Sequence, residues 1–128
     1  MQTATHARYR ENLPQLNSRL FLTDGGLETS LIFHNGIDLP YFAAFDLLKT
    51  ESGRQALKNY FRRYADIATR DGVGIILETA SWRASQDWGT KLGYSALELA
   101  NANAQSVALL EEVRAEFSDT DIVISGCV

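Results

Sequence analysis

The sequence predicts an α/β fold with parallel strands, and three observations carry that prediction. Three short runs, "LFLT" at 20–23, "VGIIL" at 73–77 and "DIVI" at 121–124, are rich in apolar and β-branched residues and suit strands buried on both faces. Two long stretches of helical periodicity lie between them. The strand ends at Asp24, Thr79 and Cys127 recur at intervals of about 50 residues, against the roughly 30 that a minimal β-α-β unit needs. A crossover helix returns each strand to the same direction, so strand, helix, strand, helix, strand implies parallel pairing. The surplus residues, 25–49 and 80–94, follow the carboxyl ends of the first two strands, where α/β folds place their ligands.

Residues 1–17 read as an N-terminal extension, and residues 18–128 as the domain. The opening "MQTATHARYRENLPQL" lacks the apolar run of a signal peptide. With 128 residues, 45% apolar and 10% aromatic, the chain can bury a core. Its net charge is -4, and of its twelve basic residues only Arg62 and Arg63 are adjacent, so neither a nucleic acid nor a membrane surface is expected as a partner. No stretch approaches the roughly 20 apolar residues of a bilayer span, and a cytoplasmic protein is expected. Lone Cys127 excludes an internal disulfide and cannot form a structural zinc site by itself.

The first strand runs directly into "DGGLETS". Asp-Gly between apolar runs is a strong hairpin signal, with "LETSLIF" as a returning strand. Alternatively Asp24 stands at a strand end, while Gly25 and Gly26 let the backbone approach a ligand closely, so that amides hold a carboxylate and the acid receives an ammonium. In the loop that follows, Tyr41, Phe42 and Phe45 read as core-facing aromatics, one of which could wall a pocket. His6 and His34 lack metal-ligand spacing and read as surface or turn histidines.

The first helix is expected over 51–71, capped by Thr50 and ended by Gly72, with Leu57, Tyr60, Phe61, Tyr64 and Ala68 on its inner face. Gly72 and Gly74 precede the second strand, whereas a dinucleotide fingerprint places its glycines after one, so a nicotinamide cofactor is disfavoured. That strand ends in "LETASWRAS", where Glu78 could cap or pair with Arg83, and Trp82 and Trp88 could lie over the core. The second helix is expected from Ser95 to Phe117, with a capping box from Ser95 to Glu98 and Ala100, Ala104, Val107, Leu110, Val113 and Phe117 turned inward. The third strand, "IVISGCV", has no covering helix after it, and an open apolar edge of this kind is expected of a fragment.

"LTDGGLETSLIF", "GVGIILETASWRAS" and "IVISGCV", in this order, resemble the amino-terminal third to half of the homocysteine S-methyltransferase family over about residues 18–128. The resemblance implies a (β/α)8 TIM barrel, of which this chain would carry three strands and two helices, and zinc held by three cysteine thiolates as the cofactor. It implies homocysteine and a small methyl donor as partners, with methionine as the product. Asp24, Gly25, Gly26 and Leu27 match the family's substrate-anchoring loop, Thr79 the threonine beside the substrate, and Trp82 and Arg83 the segment facing the methyl donor. The zinc cysteines are expected on later strands, and Cys127 is not expected to be a ligand, so the 128-residue chain alone is expected to be inactive. Two alternatives remain at this point: a non-catalytic half-barrel used in assembly, and a small α+β binding domain built on a hairpin at Asp24.

Overall fold

A computed structural model describes residues 7–128. Its centre is a three-stranded sheet of β1 (Phe21–Thr23), β2 (Gly74–Glu78) and β3 (Ile122–Ser125), all parallel and adjacent in chain order. Leu22 lies opposite Ile75, and Ile76 lies opposite Val123. The observed strands begin one residue later than the sequence suggests. At β2 the reason is that the Val73 N–H is taken by the Ala68 carbonyl, so Val73 completes the preceding helix end.

No hairpin forms at Asp24. After Gly26 the chain enters α1 (Leu27–Thr29) and continues into a π-helical turn at Ser30–His34, so "LETSLIF" is not a returning strand. Gly26 makes the corner: its φ is 74°, in the left-handed region where glycine carries no steric penalty. His34 is exposed at the end of this turn, and His6 lies outside the described residues.

The helix α2 (Glu51–Asp71) occupies the expected span. The Thr50 hydroxyl accepts the Gly53 N–H at 3.0 Å, and Gly72 leaves the helix at φ 66°. Leu57, Phe61 and Ala68 are buried as expected, with Ala65 beside them and Tyr64 half-buried. After the short α3 (Gln86–Lys91), α4 (Ala96–Ala115) opens with the complete capping box: Ser95 accepts from the Glu98 N–H, and Glu98 from the Ser95 N–H. Its buried face differs from the expected one. Leu110 and Val113 are inside, together with Ala102, Ser106 and Leu109, whereas Ala100, Ala104 and Val107 are exposed and Phe117 is half-buried beyond the helix end. Alanine and other apolar residues occur nearly all round α4, so periodicity singles out no stripe. Contacts with α2 and with the 3-10 helix Ala44–Lys49 choose the face instead. Ser106 tolerates burial because its hydroxyl donates to the Asn103 carbonyl at 2.7 Å.

The segment 25–49 is more than a loop over a site. Leu31, Leu39, Ala43, Ala44, Phe45 and Leu48 all join the core. Phe45 is 1% exposed, but Tyr41 and Phe42 are 52% and 47% exposed, contrary to the expectation of core-facing aromatics. Both have positive φ, 53° and 59°, and this bend turns their rings outward while Phe45 enters the core. Among the described residues no helix is long and apolar enough to cross a membrane.

Candidate functional site

Asp24 leaves β1 at its carboxyl end and reaches across to the neighbouring strand. Its Oδ1 accepts the Glu78 backbone N–H at 2.8 Å, and its Oδ2 accepts from the Tyr60 hydroxyl at 3.2 Å. The Gly25 carbonyl accepts from two tyrosines of α2, Tyr60 at 2.8 Å and Tyr64 at 2.7 Å. The Asp-Gly-Gly corner is thus tied to β2 on one side and to α2 on the other. The two glycines differ. Gly26 needs its left-handed φ, whereas Gly25 has none, and a Cβ built there would meet nothing within 4 Å. The fold does not demand glycine at 25, yet a side chain there would stand at the edge of the cavity.

That cavity, of about 340 Å³, is lined by Asp24, Gly25, Gly26, Leu27 and Glu28 from the β1 end, by Glu78, Thr79 and Trp82 from the β2 end, and by Cys127. Six of the seven residues singled out from the sequence therefore meet in one place. The amides of Leu27 and the next residues have no intrahelical acceptor, because they open a helix.

Three carboxylates share this space. Burial is the main reason that the Asp24 carboxyl titrates above its ordinary value, with the charge of Glu78 adding to it, while the bonds from Glu78 N–H and Tyr60 pull the other way. Glu28 is raised by burial and then by Asp24 and Glu78. Burial and the same carboxylates push the Cys127 thiol up, away from thiolate.

Thr79 is buried and its hydroxyl is committed. It accepts the Cys127 N–H at 3.1 Å and lies 2.6 Å from the Ser81 hydroxyl, which in turn donates to the Cys127 carbonyl at 2.9 Å. With Ser81 donating to that carbonyl, the Thr79 proton goes to Ser81, and Thr79 offers a ligand shape and a lone pair but no free proton. The ring of bonds ties the ends of β2 and β3 together.

Trp82 is 48% exposed on the cavity wall, so it does not lie over the core, and Trp88 is half-buried. Arg83 is the residue that does not line the cavity. Its guanidinium is stacked between the indoles of Trp82 and Trp88, at 4.0 and 4.1 Å from the ring centres. Among the described residues Arg83 makes no ion pair with Glu78, and its Nε is buried without a hydrogen-bond partner.

Among the described residues no group of three His, Cys, Asp or Glu side chains is placed to hold a metal ion. One thiol held in its protonated form does not make a zinc site. Tyr60, Tyr64 and Ser81 do not line the cavity but bond to residues that do, and these contacts were not legible in the sequence. For the tyrosines the signal was their hydroxyls on the inner face of a helix, where a buried O–H must find a partner.

The family model described as homocysteine S-methyltransferase matches residues 21–128, from the first residue of β1 through all three strands and both long helices. The chain belongs to the homocysteine S-methyltransferase family. No curated protein and no solved structure matches it. As a homocysteine S-methyltransferase family member it carries, within the matched span, every residue that lines the cavity at the carboxyl ends of its strands. Membership places the chain in a methyltransferase family.

Proposed function

We propose that this cavity is the homocysteine anchor of an enzyme that transfers a methyl group from a small donor to the homocysteine thiol, giving methionine. One observation carries the reading: Asp24, Gly25, Gly26, Leu27, Thr79 and Trp82, from the ends of two different strands, line one space of amino-acid size. Asp24 keeps lone pairs beyond the two bonds it accepts, and these can receive an ammonium. The amides that begin at Gly25 and run into α1 suit a carboxylate. The bare Gly25 leaves room for it. Trp82 would face the donor, and Arg83 would act behind it through the stacked indole.

In this reading the sheet is the first part of a (β/α)8 barrel, which fits three parallel strands adjacent in chain order. The attacking species is the homocysteine thiolate, because a thiol with a pKa near 8.5 is mostly protonated at neutral pH. Zinc, the cofactor implied by the resemblance, finds no ligand set among the described residues, so its thiolates are ones this stretch does not supply.

The test is methionine formation by the intact protein from homocysteine and each of S-methylmethionine, S-adenosylmethionine and betaine. Methionine from at least one donor, with saturation in homocysteine, is expected. No methionine from any donor, together with no binding of homocysteine by calorimetry, overturns the reading.

A further inference from the structure

The two α2 tyrosines stand outside every role assigned so far, and their hydroxyls converge on the anchoring corner. Tyr60 and Tyr64 are one helical turn apart, so they present their hydroxyls side by side. Tyr60 is only 6% exposed and packs edge-on against Phe61, with ring centres 5.1 Å apart. Both hydroxyls reach the Gly25 carbonyl, and Tyr60 also reaches Asp24. A phenol has one proton, so Tyr60 cannot serve both acceptors fully at once. Tyr64 resolves the competition: with its own proton on the Gly25 carbonyl, the Tyr60 proton is free to turn to the Asp24 carboxylate.

We propose that Tyr60 and Tyr64 are positioning residues for homocysteine, Tyr64 fixing the Gly25 peptide and Tyr60 orienting Asp24 as a carboxylate toward the substrate ammonium. The inference rests on the proposed homocysteine site. Holding the Gly25 carbonyl against α2 also points the other edge of the corner, with its amides, away from that helix. The remaining titratable groups around Asp24 are Glu28 on α1, Glu78 on β2 and Cys127 after β3, with Arg83 acting on Glu28. None of them donates a bond to the Asp24 carboxylate through its side chain.

The experiment uses the intact protein with Tyr60→Phe, Tyr64→Phe and the double variant, which keep the rings and remove only the hydroxyls. Homocysteine is titrated at saturating donor across pH. Each single change is expected to raise KM for homocysteine by roughly three- to tenfold, with kcat changed less than twofold. The double change is expected to cost less than the product of the singles, because loss of the Tyr64 hydroxyl already draws the Tyr60 proton from Asp24 back to the Gly25 carbonyl. The acid limb of kcat/KM should move to higher pH in Tyr60→Phe, since the lost bond favoured ionised Asp24. A role in stability alone would lower the melting temperature and leave that limb in place. If Tyr60→Phe melts early, Tyr64→Phe carries the test, because Tyr64 is only half-buried. Wild-type KM and an unmoved limb in folded variants overturn the inference while the homocysteine reading stands. An intact wild-type protein that does not use homocysteine overturns the reading first, before any tyrosine is changed.

Discussion

Asp24→Asn isolates one charge in the corner that joins β1 to β2. The asparagine carbonyl can still accept the Glu78 N–H that Asp24 now takes at 2.8 Å. Its NH2 group can donate to the Tyr60 oxygen, whose proton then goes to the Gly25 carbonyl at 2.8 Å. Shape and hydrogen bonds survive, so the change removes little except the negative charge offered to an ammonium. A charge-assisted contact of this kind contributes about 1.5–3 kcal/mol, and the lower end applies to a carboxylate that water still reaches. Homocysteine use should therefore weaken by roughly ten- to a hundredfold, in KM more than in kcat, because the ammonium is remote from the transferred methyl.

Stability should move in the opposite sense. The folded-state pKa of Asp24 lies above the ordinary aspartate value of 3.8, so its contribution to stability is fully present below that pH and is lost as pH rises through the folded value. At neutral pH the wild type bears that loss and the asparagine variant does not. The variant should melt at or above the wild type at neutral pH, with the difference shrinking toward pH 3.8. Steady-state titration of homocysteine at saturating donor, paired with thermal melts at neutral and acid pH, reads both. A folded variant with wild-type KM for homocysteine would refute the reasoning and leave Asp24 as a turn residue.

The two glycines of the corner should separate fold from site: Gly25→Ala should shift the melting temperature by less than about 2 °C yet weaken homocysteine use severalfold, whereas Gly26→Ala should cost about 1–2 kcal/mol for a side chain at φ 74°. Equal losses of stability in the two variants would contradict this assignment. Ser95→Ala removes the capping box of α4 and should cost about 1 kcal/mol, read as a denaturant midpoint shift with an unchanged slope. The 128-residue chain, washed with chelator, should retain no stoichiometric zinc and form no methionine. Elemental analysis finding one tightly held zinc per chain would contradict this, since one thiol and no three-ligand cluster stand among its described residues.

By itself the sequence determined what depends on neighbours along the chain. The span of α2 followed from Thr50, helical periodicity and Gly72, and the start of α4 from Ser95 and Glu98, because capping acts within three or four residues. Parallel pairing followed from strands alternating with crossover helices, and the meeting of Asp24 with Thr79 from the placement of strand ends on one edge. Whether "DGG" was a hairpin or a corner at the end of a parallel strand was not decided locally, because the same residues serve both. Long-range contacts decided it: β1 pairs with β2, and Asp24 takes the Glu78 N–H from 54 residues away. The buried face of α4 likewise waited on α2 and Ala44–Lys49, since a helix apolar nearly all round has no stripe of its own. The Tyr60 and Tyr64 clamp and the stacking of Arg83 between two tryptophans were tertiary in the same sense. A side chain's partner across the fold is set by packing, and only the packed chain brings α2 to Gly25 and draws Arg83 out of the cavity that its neighbour Trp82 lines.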